Sequence, residues 1–197
     1  MQIYDISQEV LGCAVYPGDP APKAIPVAKM EEGSPYNLTK FEMCAHNGTH
    51  IDAPYHFYKE GKTIEQMTLE KTVGWCFVTE FEGELTQKDA EQILDAAKRE
   101  HPNAFKRILL KGKAIVTAES AEYFAAQDVD LIGVESQTVG TEDAPMQVHL
   151  ILLGKEVCLL EGLRLSNVPT GGYFLHAAPL NLSGFDGAPC RATLIRF

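Results

Sequence analysis

Three histidines and an aspartate crowd into one short stretch of this chain. Between Ala45 and Phe57 it reads Ala-His-Asn-Gly-Thr-His-Ile-Asp-Ala-Pro-Tyr-His-Phe, placing His46, His50, Asp52 and His56 within eleven residues and using half of the six histidines. Gly48 and Pro54 disfavour a helix through the segment. In an extended chain alternate side chains share a face, so the three imidazoles and the carboxylate would point one way and Thr49, Ile51 and Tyr55 the other. A single histidine would read as an ordinary polar loop residue, but four nitrogen and oxygen donors on one face read as a metal site. Imidazole and carboxylate are borderline to hard donors that suit Zn²⁺ or Mn²⁺, whereas a thiolate-rich set would have pointed to a structural zinc or a cluster. Cys44, flanking the motif on an expected strand, reads as a small buried apolar group.

A catalytic metal site needs more ligands than this loop offers, and His149 and Glu161 are the best downstream donors. His149 falls on an expected helix, and Glu161 directly follows an apolar strand, at a strand end where functional side chains often emerge. Each alone would pass as a half-buried histidine or a solvated carboxylate. Together they would complete a two-metal arrangement, with Asp52 and Glu161 as bridges, since a carboxylate has two oxygens and an imidazole one lone pair. Two divalent ions would be largely neutralised there by the two carboxylates and one hydroxide, a charge balance tolerable in a partly buried pocket.

Short β-like runs must position these groups. They recur at 2–6, 24–29, 38–45, 75–81, 107–110, 131–134, 157–160, 173–180 and 191–197, rich in Val, Ile, Phe and Tyr and bounded by Gly, Pro or Asn. Three segments read as helices: 87–99, capped by Thr86 with Asp89 three residues on; 118–126; and 145–153, with Pro145 in its first turn, Gly154 at its stop, and Met146, His149, Leu150 and Leu153 on one face. The expectation is a mixed α/β domain spanning 1–197, with a mixed sheet and short helices and no repeat or linker to divide it.

Composition narrows the partners. With 197 residues, 45% hydrophobic and 22% charged, the chain has the proportions of an ordinary soluble globular protein, and its net charge is −10. That balance argues against nucleic acid or an anionic membrane as the main partner, because both need clustered Lys and Arg. The five cysteines form no Cys-x-x-Cys pair, the start lacks a signal-peptide pattern, and no apolar run approaches the roughly 20 residues that span a bilayer, so the chain reads as cytoplasmic. Rival chemistries fail on their motifs. No Gly-x-Ser-x-Gly elbow is present, and Gly61-Lys62-Thr63 has His56 where a phosphate-binding loop needs glycine. The second Asp-Ala-Pro, at Asp143, reads as coincidence. A metal-binding protein without turnover is the alternative outside enzyme chemistry.

The run from His46 to Phe57 resembles the signature of the cyclase-like metal-dependent hydrolases, whose best-known activity is bacterial kynurenine formamidase. The likeness extends to Tyr4-Asp5-Ile6-Ser7, Tyr16-Pro17-Gly18-Asp19-Pro20, Leu160-Glu161-Gly162-Leu163 before Val168-Pro169, and Asp186-Gly187-Ala188-Pro189 before Arg191-Ala192. It implies a swivelling β/β/α fold, usually a homodimer. It also implies two divalent metals, Zn or Mn, on His46, His50, Asp52, His149 and Glu161, with His56 as the acid/base residue. The implied reaction is hydrolysis of a small-molecule amide, N-formylkynurenine, to kynurenine and formate; other members act on other amides or cyclic substrates. Two departures stand out. Tyr16 occupies the position before Pro-Gly-Asp where formamidases of the family commonly stack a Trp on the aryl substrate, and Gly133-Val134-Glu135-Ser136 replaces Gly-Ile-Asp-Thr.

Overall fold

A computed structural model describes residues 1–141 and 145–197, so Asp143 lies outside the described residues. In chain order the elements are β1 (Gln2–Asp5), β2 (Lys23–Ala28), β3 (Leu38–Glu42), β4 (His50–Asp52), α1 (Leu69–Thr72), β5 (Val73–Glu80) and β6 (Gly83–Leu85). They continue with α2 (Gln87–Glu100), β7 (Arg107–Lys111), β8 (Ala114–Val116), α3 (Ala118–Ala126), β9 (Leu131–Val134), α4 (Met146–Leu153), β10 (Cys158–Glu161), β11 (Gly171–His176), β12 (Gly187–Pro189) and β13 (Thr193–Arg196). Among the described residues, nine strands form one mixed sheet in the order β1-β13-β11-β5-β7-β9-β10-β4-β12. Its centre, β5-β7-β9-β10, is parallel, and antiparallel strands flank it on both sides. This is the mixed α/β fold that the strand and helix patterns predict.

The sheet is buried on both faces, and strand alternation sorts its side chains between two cores. Ile108 and Leu110 of β7, Ile132 and Val134 of β9 and Leu159 of β10 meet α2, α3 and α4. Leu109, Leu131, Cys158 and Leu160 face the opposite way, into a second core that Ile51, Tyr173 and Leu194 help to fill. The parity of β10 and β4 fixes where the site lies. Leu160 and Ile51 point into the second core, so Glu161, His50 and Asp52 emerge on the helix side, next to α4.

Helix α2 forms as its pattern dictates: Ala90, Ile93, Leu94 and Ala97 are buried, and Thr86 with Asp89 forms a reciprocal cap at the N-terminus, worth roughly 1 kcal/mol. Helix α4 departs from expectation. Its buried face is Val148, His149, Leu152 and Leu153, while Met146 is exposed and Pro145 precedes the first helical residue. The segment from Val148 to Leu153 is nearly all apolar apart from His149, so its pattern alone does not select a face. Glu161 is the last residue of β10, paired with His50, and does not follow the strand. The expected run 173–180 ends at His176, and 38–45 ends at Glu42. Three-residue strands β4, β6, β8 and β12 are too short to show a period in sequence.

Candidate metal centre

The stretch from His46 to His56 is a strand only over His50–Asp52, which corrects the reading of one continuous extended segment. A tight turn delivers His46. Cys44 N–H donates to Asn47 Oδ1 (2.8 Å), and Gly48 takes the left-handed conformation (φ 69°) that favours glycine. Below that turn, Thr49 Oγ1 donates to Gly162 O (2.7 Å) and accepts from Gln8 N (2.9 Å), tying it to the end of β10. His56 arrives from the other side on a 3₁₀ turn, Pro54–His56, whose proline occupies the first helical position. Gly187 on the neighbouring β12 completes the packing, since a Cβ there would sit 2.8 Å from His46 Cε1. His46 then stacks on His56 with ring centroids 4.1 Å apart.

His46, His50, Asp52, His56, His149, Glu161 and Tyr16 all line one cavity of about 390 Å³. Three donor groups can each hold a metal: His46, His50 and Asp52; Asp52, His149 and Glu161; and His46, His56 and Asp186, so that Asp52 belongs to two of them. Asp52 Oδ1 lies 2.8 Å from His46 Nδ1 and 3.3 Å from His50 Nε2, while Oδ2 lies 3.6 Å from His149 Nε2. Glu161 Oε2 and Oε1 lie 3.5 and 3.3 Å from His50 Nε2 and His149 Nε2.

The outward nitrogens of these rings are already committed. His50 Nδ1 donates to Gly48 O (3.0 Å) and His149 Nδ1 to Pro145 O (2.9 Å), so each presents Nε2 to the carboxylates. His46 Nε2 donates to Asp186 Oδ2 (2.8 Å), leaving Nδ1 for Asp52. Such outer hydrogen bonds fix tautomer and ring orientation in metal sites, and this donor set fits a divalent ion.

Asp186 is a candidate functional residue that the sequence reading did not single out. Its Oδ2 also accepts from His56 Nδ1 (3.2 Å), so one carboxylate anchors both stacked rings. Those hydrogen bonds, from His46 and then His56, hold the Asp186 carboxyl well below the usual carboxylate range. The only sequence signal was its place at the head of the closing Asp-Gly-Ala-Pro. Glu135, at the altered family stretch, accepts from the backbone N–H of Gly112 and of Leu165 (2.7 Å each), which is a job of fastening loops.

The electrostatics match a site built for cations. Burial opposes charge on the rings, but hydrogen bonds with Asp52 and Glu161 outweigh it and raise His50 and His149 to about 10; bonds with Asp186 and Asp52 raise His46 to about 9. Asp52 is depressed well below its ordinary value despite its burial, by its hydrogen bonds with His149, His46 and His50. A raised histidine stabilises the fold fully below its unfolded value of 6.5 and loses that contribution as pH rises through the folded value. Chelator-stripped protein is therefore expected to lose stability between pH 6.5 and about 10. Metal ligation needs unprotonated nitrogen, so adding Zn²⁺ at neutral pH should acidify a weakly buffered solution. Metal uptake without proton release would contradict this electrostatic account.

The family model described as "Putative cyclase" matches residues 4–141. A kynurenine formamidase from Erythrobacter litoralis (strain HTCC2594) is 32% identical over 98% of this chain and 93% of its own. Among solved structures, a potential metal-dependent hydrolase with cyclase activity superposes with a TM-score of 0.80 at 28% identity, covering 98% of this chain and 96% of that one. Isatin hydrolase A from Labrenzia aggregata, at 20% identity, shares the fold with a TM-score of 0.82 over 98% of this chain and 93% of its own. Over most of its length and around its histidine motif, the chain belongs to the cyclase family of metal-dependent hydrolases.

Proposed function

We propose that this protein is a metal-dependent formamidase that hydrolyses N-formyl-L-kynurenine to L-kynurenine and formate. One observation carries the reading: two donor groups share Asp52 in the same cavity as His56, in a homologue of a kynurenine formamidase. His46, His50, Asp52, His149 and Glu161 would hold two divalent ions, Zn or Mn. When bound, such ions supply Lewis acidity, polarising the formyl carbonyl and lowering the pKa of water to about 7 in favourable cases.

The remaining work falls to the chain. Asp52 and Glu161 hold negative charge in a buried pocket and keep His50 and His149 aligned. Asp186 takes the Nδ1–H of His56, which leaves Nε2 to carry the proton to the departing nitrogen. An aniline nitrogen needs that proton less than an alkyl amine, which suits a formanilide-like bond. Tyr16 offers a ring face to an aryl group, with less surface than tryptophan. Phe57 packs against the His149 ring, 4.8 Å between centroids, and supplies an apolar wall.

Asp186→Asn is expected to lower kcat by roughly 10–100-fold, the usual effect of losing an outer partner that orients a functional ring. Elemental analysis would show metal retained; unchanged kcat would remove Asp186 from the account. The function itself is tested by a panel of N-formylkynurenine, formanilide, isatin and small lactones offered to metal-loaded protein. Turnover of isatin alone would defeat the formamidase reading and leave the hydrolase one.

A homodimer in the cytoplasm completes the proposal. The β2–β3 hairpin exposes Val27, Leu38 and Phe41, with Met30 and Tyr36 in its loop, an apolar surface of the kind partners cover. All five cysteines are free thiols, which suits a reducing compartment, and among the described residues no helix is long and apolar enough to cross a membrane.

A further inference from the structure

The cavity that holds the histidines is also lined by polar atoms that the proposed reaction does not use. Gln137 Nε2 and Oε1 and Thr138 Oγ1 are all buried and have no hydrogen-bond partner among the described residues. Folded proteins rarely leave such groups unpaired without a use, and here two adjacent residues do so. They cannot easily swing elsewhere. Gly162 N–H donates to Ser136 O (2.7 Å) and Val139 N–H to Glu161 Oε1 (2.8 Å), so the segment is pinned on both sides to the end of β10.

Gln137, Thr138 and Tyr16 line the metal cavity and also a neighbouring one of about 410 Å³, completed by Val15, Pro17 and Ser136. A substrate with its formyl group among the histidines would therefore pass between Tyr16 and the Gln137–Thr138 wall. Among the described residues no charged side chain lines the second cavity. A lone carboxylate would lack a counter-ion there, and a lone ammonium would lack an anion. A primary amide beside a hydroxyl instead offers donors and acceptors together.

We propose that Gln137 and Thr138 form the subsite for the non-reacting end of the substrate, and that this end is a zwitterionic α-amino acid group. Its carboxylate accepts from Gln137 Nε2–H and Thr138 Oγ1–H, and its ammonium donates to Gln137 Oε1. The net charge of that group is zero, which matches the uncharged lining. This inference rests on the formamidase reading and adds to it the residues that read the amino acid.

The test compares metal-loaded wild type, Gln137→Leu and Gln137→Glu on N-formyl-L-kynurenine and on formanilide, which lacks the amino acid arm. In Gln137→Leu the ratio of kcat/KM for the first substrate over the second should fall about tenfold, mainly through KM, since hydrogen bonds to charged groups are of that size. Gln137→Glu, which loses the donor to the carboxylate but keeps an acceptor for the ammonium, should lower the ratio less than Gln137→Leu does. An unchanged ratio in both variants would overturn the subsite. Calorimetric titration with L-kynurenine, which keeps the arm and is not turned over, gives a second reading. Binding about tenfold weaker in Gln137→Leu supports the subsite, and equal affinity overturns it. Failure of the formamidase reading has its own signature, wild-type protein that hydrolyses neither formamide.

Discussion

Asp52→Ala is expected to leave the protein unable to retain metal and to lower kcat/KM by at least ~10³-fold, because metal polarisation is worth several kcal/mol and each 1.36 kcal/mol is tenfold in rate. Asp52 joins the His46–His50 group to the His149–Glu161 group, with Oδ1 toward His46 and His50 and Oδ2 toward His149. It is also fully buried, so no outside carboxylate can take its place. Its loss would remove the carboxylate shared by the two proposed ion positions and deprive His46, His50 and His149 of an anionic partner. Asp52→Asn keeps the shape while removing the charge, and should fail in the same way. Elemental analysis decides: a fully loaded Asp52→Ala would show that the two groups do not depend on a shared carboxylate.

His56→Ala should do the opposite to metal and nearly the same to rate. Its distinguishing contacts are the hydrogen bond to Asp186 and the stack on His46, and it belongs to neither Asp52-centred group. Removal of a positioned proton carrier typically costs ~10²–10⁴-fold, and that loss should fall on kcat with metal content unchanged. The comparison has a sharp alternative, because His46, His56 and Asp186 could themselves hold an ion. If His56→Ala lost one equivalent of metal, His56 would be a ligand and the acid/base role would pass elsewhere.

The motif from His46 to His56 was legible because four nitrogen and oxygen donors fall within eleven residues, and that density is rare outside a site. Its shape was not. Strand alternation correctly pairs His50 with Asp52, but His46 and His56 reach the same cavity through a turn at Gly48 and a 3₁₀ turn at Pro54, which break the period of two. His149 and Glu161 were reachable as donor types on expected elements, although the apolar sequence of α4 concealed which face would be buried. Asp186 could not be found by local spacing. It acts across 140 positions of sequence on His46, through a pairing of β12 with β4 that neither three-residue strand announces. The same reason hid Gln137 and Thr138, whose significance lies in partners they lack, a property of packing alone.

The most direct test is stepwise reloading of chelator-treated protein with Zn²⁺ or Mn²⁺ while following hydrolysis of N-formyl-L-kynurenine. The account predicts no turnover in stripped protein, and activity that rises with bound metal and saturates at two ions per chain. Turnover that survives complete metal removal, or fully loaded protein that leaves the formamide intact, would contradict it.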